Sequence, residues 1–248
     1  MKGSTRIEGS VALVTGASRG TGRAITEALL ERGAVKVYAT ARDPKTLDEL
    51  TQQYGPRVVA LRLDVTNADQ VAEAARQATD VDLLINNAGL VEPGELVTET
   101  TVDVARREME VNYFGPLRML QRFAYGLSQR GGAIVNVISA AGLTNSPFIP
   151  TYSASKAALH SLTQASRALL AARGVTVYGV YPGPVDTDMS KGFDIEKSSP
   201  QDIATGILDG VEAGDEDIFP GDWAVAFAEQ FNSSPKDSER QAAAAIAA

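Results

Sequence analysis

The chain is expected to fold as an α/β protein: a doubly wound parallel sheet of about seven strands with helices on both faces, a Rossmann fold. Three observations on its 248 residues predict this. Short β-branched apolar runs alternate with longer amphipathic segments, the pattern of strands buried on both faces beneath helices. A glycine-rich turn, T-G-A-S-R-G-T-G at 15–22, lies between the first such run and the first amphipathic segment. With 44% hydrophobic residues, no internal repeat and no interdomain linker, residues 1–248 fit one domain with a sizeable core.

Taken in order, strands are expected near Val11–Thr15, Lys36–Ala41, Val58–Leu63, Leu83–Asn86, Ala133–Ile138, Val175–Tyr181 and Asp217–Phe219. The first helix spans Gly20–Arg32 and stops at Gly33, a residue suited to a left-handed cap. Pro44–Tyr54 starts with proline in its first turn, and Asn67 caps a helix over Asn67–Ala78. Val102–Arg130 is interrupted by Gly115-Pro116, so it is two helices or one kinked helix, ending at Gly131-Gly132. Thr151–Arg173 is a continuous Ala-, Ser- and Leu-rich helix closed by Gly174; its small residues predict close packing on another helix, within the subunit or across a dimer. Trp223, Phe227 and Phe231 recur at helical spacing and read as a stripe facing the core rather than a ligand site. The tail, 233–248, is a surface helix or a frayed end.

Composition removes several classes of function. A net charge of −8 and a pI near 4.8 oppose nucleic acid or an anionic membrane as partner. There is no cysteine, hence no disulfide or thiolate metal site, and the single histidine, His160, argues against a His-clustered metal or a Ser-His-Asp triad. His160 itself reads as an ordinary packed or surface imidazole. No metal site is expected. The opening residues lack the apolar run of a signal peptide and no stretch is apolar enough to span a membrane, so the expected location is cytoplasmic.

The glycine turn carries the first chemistry. A strand-to-helix turn gathers backbone N–H groups and the positive helix end, and residues without Cβ let a pyrophosphate approach. Gly16 permits the tight turn, Gly20 the close approach and Gly22 the packing of helix on strand. No Gly-Lys-Ser/Thr ending follows, which removes a P-loop hydrolase. After the second strand, where an acid would bind a ribose diol, the chain reads Ala41-Arg42-Asp43. Arg42, with Arg19 inside the turn, favours NADP(H) over NAD(H), because guanidiniums form charge-assisted bonds to a 2′-phosphate. NAD(H) remains compatible, since either arginine could be a solvated loop cation and Asp43 offsets Arg42. The second chemistry is Tyr152 with Lys156 in Y-S-A-S-K, whose four-residue spacing puts both on one helix face. A phenol titrates near ~10, and an adjacent ammonium favours the phenolate, so the pair would be an acid or base near neutrality. A half-buried aromatic beside a solvated amine gives the same spacing.

Seven motifs in register settle the comparison between such readings: T-G-A-S-R-G-T-G at 15, L-D-V-T at 63, N-N-A-G at 86, E-V-N at 110, V-I-S at 137, Y-S-A-S-K at 152 and Y-P-G-P-V-D-T at 181. Through them the chain resembles the short-chain dehydrogenase/reductase family over most of its length. The resemblance implies a carbonyl reductase or alcohol dehydrogenase acting by hydride transfer. It makes Tyr152 the general acid in reduction and base in oxidation, with Lys156 lowering its pKa and holding the nicotinamide ribose. Ser139 would hydrogen-bond the substrate oxygen, and Asn112 would interrupt its helix to bind a water linking Lys156 to solvent. Gly16, Ser18, Arg19, Gly20, Thr21, Gly22 and Arg42 would hold the dinucleotide phosphates and ribose. Asp64 and Val65 would meet adenine, Asn87, Ala88 and Gly89 would pass beside the cofactor, and Pro182, Gly183, Val185 and Thr187 would meet the nicotinamide end.

Substrate choice is expected in 90–95, in 140–150 and in a short loop over 189–199. Ala140, Leu143, Phe148, Ile149, Pro184, Val185, Met189 and Phe193 would make a mostly apolar pocket suited to a hydrophobic ketone or aldehyde. The C-terminal sequence departs from the V-D-G-G-like tail of tetrameric relatives, so a homodimer built on the helices around 115–130 and 151–173 is expected, with a tetramer as the other possibility. The alternative to an enzyme is a catalytically silent nucleotide-binding regulator or scaffold of the same fold; the presence of Tyr152, Lys156 and Ser139 opposes it.

Overall fold

Parallel neighbours cannot be joined by tight hairpins, so every helix predicted between strands becomes a crossover. In the computed structural model, which describes residues 4–92, 94, 96–192 and 194–244, these crossovers assemble a single sheet. Strands β1 (Val11–Val14), β2 (Lys36–Ala41), β3 (Val58–Arg62), β4 (Leu83–Asn86), β5 (Ala133–Val137), β6 (Thr176–Val180) and β7 (Asp217–Ile218) lie in the order β3-β2-β1-β4-β5-β6-β7, all parallel. The order reverses at the β1–β4 pair, where Val14 is in register with Ile85. Chains leaving those two strands turn to opposite faces, which opens a crevice above their carboxyl ends.

Both faces of the sheet are covered, which is why its strands are continuous apolar runs. Helices α1 (Gly20–Glu31), α2 (Asp48–Tyr54) and, later in the chain, α7 (Pro200–Ala213) bury Ile25, Leu29, Leu50, Ile203 and Ile207 against Val14, Val37 and Val135. On the other face α3 (Ala68–Gln77), α5 (Gly115–Arg130) and α6 (Pro150–Ala171) bury Val71, Met119, Phe123 and Leu170 against Leu13, Leu84, Ile134 and Val177. Each such side chain contributes roughly 1.5–3 kcal/mol. One polar chain threads this core: Asn86 Nδ2 donates to Asn136 Oδ1 (2.8 Å), Asn136 Nδ2 to Thr163 Oγ1 (2.9 Å), and Thr163 Oγ1 to the Leu159 carbonyl (2.8 Å). It fixes α6 against β4 and β5.

Element ends are set by local chemistry. Asn67 caps α3 as expected, its Oδ1 accepting from Asp69 N and Gln70 N at 3.0 Å each. Pro44–Leu47 is a 3₁₀ turn that only then continues as α2, and Asp43, which accepts from Lys45 N, caps it. The long segment is not broken at Gly115-Pro116. Helix α4 (Thr101–Met109) passes through a one-turn π-helix, Glu110–Phe114, directly into α5. Pro116 has no N–H for the carbonyl four residues back, and the wider turn absorbs the mismatch. Gly115 is needed there as well, because a Cβ would stand 2.8 Å from Val65 Cγ2.

Beyond β7, α8 (Asp222–Ser233) and α9 (Pro235–Ala244) give the surface-helix form of the tail through Ala244. The aromatic stripe of α8 does not face the core. Ala224 and Ala228 are the buried pair, while Trp223 is 47% exposed; small residues allow α8 to pack closely, which turns the rings outward. No described helix is long and apolar enough to cross a membrane.

A Cβ at Gly132 would lie 2.5 Å from the Asp82 carbonyl oxygen, whereas one at Gly126, within α5, meets nothing inside 4 Å. Gly132→Ala should therefore lower unfolding stability by about 2 kcal/mol, and Gly126→Ala should raise it by up to ~1 kcal/mol, both read from urea denaturation midpoints.

Candidate active site

The turn between β1 and α1 forms one wall of the crevice, and its three glycines are dictated by different neighbours. Gly16 (φ +69°) and Gly20 (φ +53°) occupy left-handed backbone. A Cβ at Gly22 would lie 2.2 Å from the Gly16 carbonyl oxygen and 2.4 Å from Asn87 Nδ2, so Gly22 serves the closure of the turn on itself and on Asn87, not helix-on-strand packing. At Gly20 the limiting neighbour is Thr187 Cγ2, at 3.0 Å, across the crevice. No side chain caps α1, so its first-turn N–H groups remain available to an anion. Asn87 holds this arrangement. Its Nδ2 donates to the carbonyls of Thr15 (2.9 Å) and Gly16 (3.3 Å), while the N–H groups of Asn87 and Ala88 donate to Thr15 Oγ1 at 2.9 and 3.0 Å. Asn87 thus braces the turn, and Ala88 and Gly89 line the crevice beside it.

Ser18, Arg19, Thr21, Ala41, Arg42, Asp64 and Val65 line the end of the crevice over β1–β3. Arg42 is exposed and makes no ion pair or side-chain hydrogen bond among the described residues. Arg19 is paired instead: its Nη1 lies 3.0 Å from Asp188 Oδ2, on the far lip. Asp64 Oδ1 is taken by Thr66 N (2.9 Å) and Thr66 Oγ1 (2.7 Å), which leaves Oδ2 for a donor in the crevice.

At the other end stand Ser139, Tyr152 and Lys156. Burial pushes the Tyr152 phenol up to about 12, with the neighbouring Ser139 hydroxyl pulling it down and the Glu108 charge adding to the rise. Burial pushes the Lys156 amine down to about 8. Burial is thus the largest influence on the phenol, while Lys156 Nζ lies 5.6 Å from the Tyr152 ring centre and donates to the Val137 carbonyl at 2.9 Å. Ser139 lies two residues beyond β5; its Oγ accepts from Ala141 N (3.1 Å), and its hydroxyl hydrogen-bonds the Tyr152 phenol. Asn112 sits in the π turn and is fully buried. Its amide accepts from Leu90 N and donates to Leu90 O and to Ser155 Oγ, each at 2.8 Å, so it ties the loop after β4 to α6. Asn112 Oδ1 and Lys156 Nζ flank the same atom position: a Cβ on Gly89 would be 3.5 Å from one and 3.6 Å from the other.

The crevice widens here into a cleft of about 1450 Å³ in all, shared by both ends. Pro182, Gly183, Pro184, Val185, Thr187 and Met189 line it from the chain after β6, and Ala140, Phe148 and Ile149 from the chain after β5. The 189–199 loop is pinned at its base, where Asp186 N donates to Ser198 O (2.9 Å) and Ser198 N to Pro184 O (3.0 Å). Leu143 does not line this cleft; it packs on Ile138, Leu159 and Tyr181 and borders a smaller hollow beside Phe231. Phe193 lies outside the described residues. His160 is a packed imidazole, its Nδ1 2.8 Å from Tyr181 Oη.

Two contributions escape motif reading. Glu108 is wholly buried on α4, accepts from Glu92 N (2.9 Å), and is pushed up by burial in spite of the Thr151 hydroxyl. Trp223, Phe227 and Gln230 of α8, with Gln241 of α9, form a further wall of the cleft. Glu108 stands four residues before Asn112 on one helix face, a spacing that could have flagged it; nothing local distinguishes the aromatic stripe from a core stripe.

Comparison with known proteins agrees with this fold. The family profile described as short chain dehydrogenase matches residues 10–197. The 3-oxoacyl-(acyl-carrier-protein) reductase FabG of Vibrio cholerae is 37% identical over 199 residues, covering 77% of this chain and 80% of the relative. A short chain dehydrogenase from Burkholderia cenocepacia J2315, solved in complex with NADP, superposes with a TM-score of 0.90 at 42% identity, covering 96% of this chain and 99% of that one. A short chain dehydrogenase/reductase from Burkholderia phymatum in complex with NAD gives 0.79 at 26% identity, covering 86% and 89%.

Two outcomes follow from the site's packing. Gly22→Ala should weaken dinucleotide binding at least about tenfold, some 1.4 kcal/mol, measured by fluorescence titration, because the turn must open to admit the Cβ. Lys156 has a folded pKa of about 8 against an ordinary 10.5, so between those values the unfolded chain holds more protons and stability rises with pH. Below that window the buried charge costs about 3 kcal/mol, offset by ~1 kcal/mol from the bond to Val137. Lys156→Met should thus be more stable than the parent at pH 7 by about 2 kcal/mol, with the difference shrinking as pH rises toward 10.5, followed by denaturation at each pH.

Proposed function

Because the chain belongs to the short-chain dehydrogenase/reductase family of oxidoreductases, we propose that it interconverts a hydrophobic carbonyl compound and the corresponding alcohol, with NADP(H) as preferred dinucleotide. The observation that carries this reading is the meeting, in one cleft, of an anion-receptive glycine turn with Ser139, Tyr152 and Lys156. A nicotinamide dinucleotide, when bound, supplies or accepts the hydride; the chain's own residues handle the proton and the geometry.

In reduction Tyr152 donates to the substrate oxygen. A phenol at about 12 is protonated at neutral pH, and an oxygen acquiring alkoxide character beside it is the stronger base, so transfer runs downhill. Ser139, whose hydroxyl neighbours the phenol, turns to donate to the same oxygen as charge builds there. Lys156 holds the ribose hydroxyls with the N–H groups that Val137 leaves unused. The approach of Asn112 Oδ1 and Lys156 Nζ to Gly89 supports a water-bridged route between them by which Tyr152 regains its proton. Burial of both titrating groups excludes competing water and strengthens each of these interactions.

The preference for NADP(H) is supported by Arg42, exposed and, among the described residues, unpaired just after β2, by Arg19, which lines the same cleft, and by the absence of an acid at Ala41. The relative of higher identity carries NADP and the more distant one NAD. Exposed Tyr125 on α5 and Leu169 on α6 support a homodimer through these helices.

The reading is tested by following dinucleotide oxidation at 340 nm across ketones and aldehydes with NADPH and with NADH; turnover of carbonyl compounds by neither would overturn it. Tyr152→Phe should lower kcat by roughly 10²–10⁴-fold while the dinucleotide dissociation constant stays within about threefold, some 0.6 kcal/mol. Arg42→Ala should cut kcat/KM with NADPH by about tenfold or more and leave NADH nearly unchanged, since a charge-assisted bond is lost only to the phosphate.

A further inference from the structure

The matched family stretch ends at residue 197, and α8 lies beyond it. On this helix Trp223, Phe227 and Phe231 form a ladder of nearly parallel rings: centres 5.6 Å apart at 5° for the first pair and 5.9 Å at 17° for the second. Ala224 and Ala228 occupy the buried face and hold the ladder outward. The leading ring is seated at the reaction end of the cleft. A Cβ on Gly183 would be 2.3 Å from Trp223 Cε3, so the missing side chain of Gly183 is what lets the indole lie against the segment after β6. Trp223 and Phe227 line the same cleft as Ser139 and Tyr152, yet Trp223 stays 47% exposed.

Charge narrows what such a wall can receive. Among the described residues four cations line the cleft: Arg42 stands at its far end, Arg19 is bound to Asp188, Arg107 forks onto Glu92 at 2.8 and 2.6 Å, and Lys156 donates to the Val137 carbonyl, its other N–H groups being those assigned above to the ribose. No other cation among the described residues lines the cleft to meet a substrate anion, and Asp188 and Asp194 line it as well. A flat π surface selects further. Aliphatic groups gain from it only the area they bury, while an aromatic ring adds the offset-stacking term.

We propose that the substrate is an uncharged aryl ketone or aldehyde whose ring stacks on Trp223 while its carbonyl oxygen meets Tyr152 and Ser139, an inference that rests on the hydride-transfer reading above. In the forward step the carbonyl carbon gains the hydride and the C=O π bond breaks. The oxygen takes the Tyr152 proton, giving the aryl alcohol and the oxidised dinucleotide, and solvent returns a proton to Tyr152.

The experiment compares acetophenone with cyclohexyl methyl ketone, and benzaldehyde with cyclohexanecarbaldehyde, using the full chain with NADPH. Trp223→Leu should lower the aryl-to-cyclohexyl ratio of kcat/KM roughly two- to tenfold, while Trp223→Phe, which keeps a ring, should hold it near the parent value; dinucleotide affinity and melting temperature of each variant establish that the fold persists. A ratio unmoved by Trp223→Leu, or a free 3-oxoacyl thioester turned over in preference to every aryl substrate, overturns the inference and leaves hydride transfer intact. Absence of reduction of any carbonyl compound by the parent chain with either dinucleotide overturns both.

Discussion

The site depends first on the join between β1 and β4, where strand order reverses and the two chains leave for opposite faces. Left to itself such a join is a gap between diverging loops. Thr15 and Asn87 close it: the Thr15 hydroxyl accepts from two backbone N–H groups of the β4 loop, and the Asn87 amide returns to the carbonyls of Thr15 and Gly16. Because Asn87 and Gly16 crowd position 22, no side chain fits there, and the glycine turn is held with its N–H groups toward the crevice. The phosphate end of the site is thus a consequence of how two strands are tied.

The Tyr152–Lys156 end is built on burial. Tyr152 and Lys156 lie on the inner face of a helix anchored by the Asn86–Asn136–Thr163 chain, and desolvation moves their titrations in opposite directions, the phenol up and the amine down. Asn112 secures the other side by joining Leu90 and Ser155. These polar links run through an apolar core, where each satisfied bond is costly to lose. The geometry of the site and stability therefore share the same contacts, with Lys156 the exception: its buried charge opposes folding.

Much of this was legible in the chain. Alternation of apolar strands with amphipathic helices is a local property, so seven strands and the helices up to α6 could be read with ends displaced by a residue or two, while α7 was given no bounds. The glycines at 16, 20 and 22 were legible as a turn, but the part played by Gly22 was not, since it depends on Asn87, a residue 65 positions away in sequence. The π turn at Glu110–Phe114 was legible only as an interruption at Gly115-Pro116, two helices or one kinked helix, because a proline signals a mismatch without saying how neighbours absorb it. Leu143 was assigned to the cleft on hydrophobicity alone, and the packing of Ile138, Leu159 and Tyr181 drew it elsewhere.

By itself the sequence determined the fold class, the position of the glycine turn, and the four-residue spacing that sets Tyr152 and Lys156 on one helix face, because each follows from periodicity and backbone sterics over a few residues. Only the tertiary structure decided the direction of the Tyr152 titration, which is set by the low-dielectric surroundings that distant segments bring together. It also decided which face of α8 is buried. Trp223, Phe227 and Phe231 obey the same periodicity as a core stripe, and it was the close fit of Ala224 and Ala228 that turned the rings outward, Trp223 and Phe227 toward the cleft.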